Sequence, residues 1–200
     1  MANNDTFQQI ISAADRLFYE RGYEYTSFKD IADEVQISRG NFYHHFHTKD
    51  EILDAVIEFR LAATRSMLEQ WEAEADDPRS RIARFVRILL TNLASIRQHG
   101  CPVGTLCTEL VKIDHPSQAR AHSIFDLFRA WLRRQFELLG DRDADAHALH
   151  VLARSQGVAV LASTYRDKAF VEREVNELLD WLAQVCARPP TAKRRKRRSR

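Results

Sequence analysis

Apolar residues recur at steps of three and four along almost the whole chain, and alternation with a period of two is nearly missing. Such spacing stacks each apolar set on one side of a helix and offers nothing for a sheet to bury. Phe7, Ile10, Ile11, Ala14, Leu17 and Phe18 form the first stripe. It should stop at Gly22, because a glycine just past the last turn adopts the left-handed cap cheaply. Ser27 with Asp30 three residues on is a capping-box start for a short second helix carrying Ile31, Ala32 and Val35. After Gln36-Ile37, Ser38 caps a third helix, expected from Arg39 to Phe46. A long helix follows from about Lys49 to Trp71, with Ile52, Val56, Phe59 and Ala63 on one side, and Asp76-Asp77-Pro78 breaks it. Ile82, Phe85, Val86, Leu89, Leu93 and Ile96 mark the next helix, ended by His99-Gly100. Pro102 to Ile113 and then 117–139, 144–166 and 170–187 complete nine helices. The fold class is all-α.

With 200 residues of which 44% are hydrophobic, such a chain can carry a small head on a larger body. No run approaches the roughly 20 apolar residues of a membrane span. The polar start, Met1 to Asp5, lacks the plan of a secretion signal. A soluble, cytoplasmic protein with no membrane partner is expected. Cys101, Cys107 and Cys186 make neither a disulfide framework nor a zinc knuckle, so no metal or cofactor is expected. The net charge of +2 conceals an asymmetry. Eight Lys and Arg and no acid lie beyond Ala187, which leaves 22 cations against 28 acids, near −6, for the rest. Nucleic-acid contact would have to come from a local patch or from that tail.

Residues 24–49 supply such a patch. Two short helices joined by a tight turn match the helix-turn-helix plan, whose second helix enters the major groove. In Ser38-Arg39-Gly40-Asn41-Phe42-Tyr43-His44-His45-Phe46, the two phenylalanines lie four apart and should pack inward near Leu17, Phe18 and Ile31. Arg39 can take guanine in a bidentate contact and Asn41 can read adenine. Gly40 lets backbone approach a base edge. Tyr43, His45 and Lys49 offer donors to phosphate, and Ser27 and Lys29 reach the flanking backbone. A solvated polar face is the plainer alternative. Adjacent histidines diverge by about 100° on a helix and suit one metal poorly.

The stretch from Ile10 to Leu53 resembles the TetR family of transcriptional regulators. The family's marks appear as Ala13-Ala14, Leu17-Phe18, Gly22-Tyr23, Thr26-Ser27, Asp30-Ile31-Ala32 and Tyr43-His44-His45-Phe46-His47-Thr48-Lys49. The usual turn glycine is replaced by Gln36, and the common aliphatic of the recognition helix by Phe42. The resemblance implies Lys29, Arg39, Gly40, Asn41 and His44 toward bases, with Ser27, Tyr43, His45 and Lys49 toward phosphate. Ser38 opens that surface. It also implies a homodimer on a palindromic double-stranded operator, and repression relieved by a small-molecule effector. No catalytic residues are expected. The divisions are a DNA-binding head over 4–64, an effector and dimer body over 65–187, and a basic disordered tail over 188–200.

In the body, Val171, Val175, Leu178, Leu182 and Val185 repeat as a narrow seam suited to a dimer surface, or to an internal core. Leu149, Leu152, Ala153, Gln156 and Val160 form a second stripe. An effector pocket is expected among Phe59, Cys101, Thr105, Cys107, Phe128, Trp131 and Gln156, with Glu109 and His122 as further polar candidates. Cys101, near a helix start, admits an alternative as a thiol sensor of oxidants or electrophiles. A chromosome-organising protein on the same fold is a second alternative. Nothing near Cys101 supplies the base and orienting acid of an enzyme.

Overall fold

The computed structural model describes residues 2–187, and all their regular structure is helical. In chain order the helices are α1 (Ala2–Arg21), α2 (Phe28–Val35), α3 (Arg39–Tyr43), α4 (Lys49–Glu74), α5 (Pro78–Thr91), α6 (Leu93–His99), α7 (Pro102–Lys112), α8 (Gln118–Leu138), α9 (Ala144–Tyr165) and α10 (Lys168–Ala187). The helix expected through Ile82 and Ile96 is interrupted at Asn92, and its two halves are numbered separately as α5 and α6. The basic segment 188–200 lies outside the described residues.

Local chemistry sets the boundaries. Ser27 and Asp30 form the reciprocal capping box. Ser38, Thr48 and Asp77 each accept the backbone N–H three residues on, at the starts of α3, α4 and α5. Each such cap is worth about 1 kcal/mol. Gly22, at φ +95°, ends α1. The third helix is shorter than expected. It stops at Tyr43, and the amides of His45 and Phe46 both turn back to the Phe42 carbonyl.

Two apolar clusters fill the molecule. One joins α1, α2, Phe42 and the first half of α4 to Val103, Leu106 and Leu110 of α7 and to Ala121 and Ile124 of α8. The other joins the second half of α4 to α5, α6, α8, α9 and α10. α4 is continuous through the expected boundary at 64/65, so it serves both. Its buried face runs through Ile52, Leu53, Val56, Ile57, Leu61, Leu68 and Trp71. Phe59 and Ala63, expected on that face, are exposed. The α10 seam is corrected too. Val171, Val175, Leu178 and Leu182 are at most 1% exposed within one chain, so they pack on α5 and α9 and are not free to meet a second copy.

Gln36 occupies the position where a glycine would cap α2. Its backbone is left-handed, at φ 59° and ψ 39°, so the turn is kept and the strain is borne by a residue with a Cβ. Left-handed backbone costs an L-residue roughly 1–2 kcal/mol, against roughly 0.5–1 kcal/mol for glycine's extra chain entropy. Gln36→Gly should therefore raise stability by about 0.5–1 kcal/mol. Urea unfolding of the two chains measures it, and a loss of stability would contradict the strain.

Candidate nucleic-acid interface and cleft

The outer surface of α2 and α3 carries the expected residues. Phe42 is 1% exposed and meets Phe28 edge-on at 5.2 Å, and Phe46 stacks on Phe7 at 5.0 Å. These two anchors fix the rotation of α3. With them inward, Ser38, Arg39, Gly40, Asn41, Tyr43 and His44 face outward and are exposed. Tyr43 lies over the Phe28 ring at 5.8 Å, so its ring is braced while half of the residue remains exposed. Arg39 has no ion-pair partner among the described residues. Lys29 is paired with Asp33 at 2.6 Å, an exposed contact that raises its pKa. Such a pair exchanges readily for a phosphate. Ser38 Oγ accepts the Asn41 amide at 3.3 Å, so its hydroxyl is committed to the helix start. At Gly40 an added Cβ would meet nothing within 4 Å, and its φ is not positive. The fold itself therefore places no demand for glycine there.

Two expected phosphate donors are placed otherwise. His45 Nε2 is shut away from solvent without a partner, and the ring lies beside Phe7. The nitrogen farthest along that side chain is not presented outward. Lys49 Nζ donates to the Tyr23 carbonyl at 3.0 Å and to that of Glu24 at 3.5 Å, and lies 4.2 Å over the Tyr23 ring. Its ammonium therefore ties the start of α4 to the α1–α2 turn.

On another side, α7, the α1–α2 turn and α9 enclose an open cleft of about 1040 Å³. Of the residues expected in an effector pocket, Cys101, Thr105, Cys107 and Gln156 line it, together with Glu109, Phe125 and Val160. The other expected pocket residues do not. Phe59 is turned out to solvent, Trp131 packs on Trp71 at 5.9 Å, and Phe128 packs on Phe85 at 5.3 Å. These aromatics are body surface and body core. His122 is exposed and pairs with Asp126. Gly104 lies under the Gln156 carboxamide, since a Cβ there would come within 2.6 Å of Oε1. Burial pushes the Cys107 thiol up to about 11 and raises that of Cys186, so neither is a thiolate near neutral pH. Cys101 Sγ accepts the Gly104 amide as the cap of α7. Among the described residues no cluster of His, Cys, Asp or Glu can hold a metal ion, and no helix is long and apolar enough to cross a membrane.

Cleft and head meet through polar contacts that sequence reasoning missed. Arg60, buried on α4, donates to Asp15 at 2.5 Å and to the Pro102 carbonyl at 2.6 Å. Tyr19 donates to the Gly100 carbonyl at 2.7 Å. Glu109 accepts the amides of Tyr23 and Glu24, both at 2.9 Å. Tyr23 Oη donates to Asp50 at 2.6 Å, and His115 stands edge-on to the Tyr23 ring. The Ser117 amide donates to His115 Nδ1, which leaves Nε2 as the protonated nitrogen, 3.5 Å from Asp50.

The head, its outward-facing short helix and the helical body above it define a helix-turn-helix regulator. Residues 10–56 match the profile of bacterial regulatory proteins of the tetR family. Similar proteins include YxaF of Bacillus subtilis, an HTH-type transcriptional regulator. It is 27% identical over 173 residues, covering 84% of this chain and 90% of YxaF. The HTH-type transcriptional repressor Rv3405c of Mycobacterium tuberculosis is 35% identical over 140 residues, 70% of this chain and 66% of the repressor. A TetR transcriptional regulator from Legionella pneumophila has a solved structure of the same fold. Its TM-score is 0.76 at 25% identity, with 86% of this chain and 94% of that one covered. The chain belongs to the TetR family and is a transcriptional regulator, not an enzyme.

The Tyr23–Asp50 bond carries a pH signature. Tyr23's hydrogen bond is the chief cause holding the Asp50 carboxyl below its ordinary 3.8. A carboxylate with a lowered folded pKa adds stability above its unfolded value, and that stability is lost as pH falls through the folded one. Tyr23→Phe should therefore cost roughly 0.5–1.5 kcal/mol near neutral pH, toward the low end because Asp50 is largely exposed. The gap between the two chains should narrow below pH 3.8. Urea unfolding at about pH 7 and about pH 3 checks this, and a gap that widens in acid would refute the assignment.

Proposed function

We propose that the protein is a homodimeric repressor that holds a palindromic operator through α3 and lets go when a small molecule occupies the α7–α9 cleft. The observation that carries this reading is the rotation of α3. Phe42 and Phe46 are buried beneath it, while Arg39, Gly40, Asn41, Tyr43 and His44 face outward together. Arg39 and Asn41 have the chemistry for base edges, and His44 lies beside them. Tyr43 suits phosphate and Lys29 can leave Asp33 for it, whereas the Ser27 hydroxyl would first have to leave its bond to Asp30. The open space over Gly40 gives the glycine a purpose, since a duplex can approach the backbone there.

One such head spans few base pairs, and twofold pairing presents two about 34–36 Å apart or at a multiple of that spacing. The surface offered for pairing is the outer face of α9. Leu149, Ala153, Gly157, Val160 and Leu161 follow at helical spacing and all are exposed. Ala153 and Gly157 admit a close helix approach. The reading assigns residues 4–64 to DNA, 65–187 to effector and pairing, and the molecule to the cytoplasm. Cys101, Thr105, Cys107 and Gln156 face the effector in this reading, and any thiol chemistry would fall to Cys101.

The test uses a duplex enriched from a random pool by the native chain. Arg39→Ala should weaken binding by about 1–3 kcal/mol and relax preference at one base position. Tyr43→Ala should weaken binding to all sequences alike. Fluorescence anisotropy gives both affinities, and sedimentation should find each variant still dimeric. Full-strength binding by both variants would remove α3 from the groove.

A further inference from the structure

The cleft and the head share one carboxylate. Glu109, half-buried on α7, directs Oε1 to the Glu24 amide and Oε2 to the Tyr23 amide, each at 2.9 Å. Gly22 clears the space for it: a Cβ there would lie 3.0 Å from Oε1, and φ of +95° favours glycine in any case. The carbonyls of the same two residues are held by Lys49 from the start of α4. The α1–α2 turn is thus slung between an anion on α7 and a cation on α4. That turn leads directly into the Ser27 cap of α2. Glu109, Tyr25, Glu24 and Gly22 also line the cleft, so an occupant lies against both the grip and the turn it holds.

We propose that Glu109 is the residue through which occupancy of the cleft reaches the head, and that the effector is a largely apolar molecule carrying a positively charged hydrogen-bond donor. This deepens the effector reading above and rests on it. The inner wall presents acceptors and soft groups: the Glu109 carboxylate, the Gln156 carboxamide, and the Cys101 and Cys107 sulfurs. The cations of the cleft, Arg21 and Lys112, are exposed. Glu109's present bonds join its carboxylate to neutral amides, whereas an ammonium brings a full opposite charge against it in a partly enclosed cleft. An ammonium can therefore draw Glu109 off the two backbone amides, where an uncharged group of the same size cannot. An anion would be set against Glu109. With Glu109 withdrawn, the Tyr23 ring keeps its Asp50 and His115 contacts and the backbone keeps Lys49, but the turn loses its tie to α7, so the start of α2 is freed to shift against the body. Glu109 is a positioning residue, since no contact with DNA is assigned to it.

Thr105 is one helical turn before Glu109 on the same cleft wall and gives a place to deliver charge. In the full chain, Cys101→Ser, Cys107→Ala and Cys186→Ala remove the native thiols, and Thr105→Cys introduces one. Three methanethiosulfonates (2-aminoethyl, methyl and 2-sulfonatoethyl) each form a mixed disulfide there and release methanesulfinate. The aminoethyl adduct should speed amide exchange at Tyr23 and Glu24 at least tenfold and weaken binding of the enriched duplex at least fivefold. The methyl and sulfonate adducts should leave both within twofold. With Glu109→Ala the two amides should exchange fast before labelling, and no adduct should change binding further. Glu109→Gln keeps the side-chain volume and one acceptor oxygen, and should fall between, which separates a lost grip from a misfolded chain. Three adducts acting alike would overturn the charge preference. An aminoethyl effect equally large with Glu109→Ala would overturn Glu109's role and leave the cleft standing. Faster exchange with no change in binding would cut the link to the head. Seated adducts that alter neither exchange nor binding would remove the cleft reading itself.

Discussion

The head does not close its own core. α1, α2, α3 and the first half of α4 leave an apolar opening that Val103, Leu106 and Leu110 of α7 and Ala121 and Ile124 of α8 fill. Leu110 and Ile124 are fully buried there. A buried side chain of that size contributes about 1.5–3 kcal/mol, so these contacts alone tie head to body by several kcal/mol. Arg60 adds a constraint of a different kind. It is buried, and it divides its donors between Asp15 on α1 and the Pro102 carbonyl at the start of α7. A buried guanidinium stripped of either partner is costly, so α1, α4 and the α7 N-terminus hold a fixed relation. α7 is the piece around which the remainder is arranged.

What could be seen in the chain beforehand follows from distance along it. Caps act over three residues. Ser27, Ser38, Thr48 and Asp77 sit at helix starts, and the capping box at Ser27 and Asp30 was visible from spacing alone. The burial of Phe42 and Phe46 followed from their four-residue step, and with it the outward face of α3. The contacts that join head to body span 42 to 86 residues. Glu109 and Tyr23 share no pattern, and neither do Arg60 and Asp15. An apolar stripe also does not say what covers it. Val171 to Leu182 have the spacing of a seam between chains and form one within the chain, while the expected α9 stripe divides: Leu152 is buried, Gln156 turns to the cleft, and Leu149, Ala153 and Val160 stay exposed. Aromatic content misled for a related reason. Trp131 and Phe128 are large enough to line a cavity, and equally suited to fill one, and close packing favoured the second.

Position, more than residue type, separates the two expected donors that turned inward. Lys49 is the first residue of α4 and follows directly from its Thr48 cap. Its stem therefore runs back across the α1–α2 turn, where the carbonyls of Tyr23 and Glu24 and the face of the Tyr23 ring accept an ammonium. His45 lies in the turn after α3, between the anchors Phe42 and Phe46, and the rotation that buries the anchors carries its ring toward Phe7. The residues left outward are those at the other phases of the same short helix.

α9 bears on both halves of the proposed mechanism. Gln156, Val160 and Ser163 line the cleft, and Leu149, Ala153, Gly157 and Leu161 extend the adjoining outer face. Val160, 61% exposed, belongs to both. A second chain seated on that face would border the cleft mouth and reduce the solvent open to it. Shielding of this kind strengthens the attraction between any charged occupant and Glu109, because the effective dielectric falls. Pairing and sensing would then not be separate properties of two surfaces. The contact that sets the spacing of the two heads would also set the strength of the interaction that loosens them.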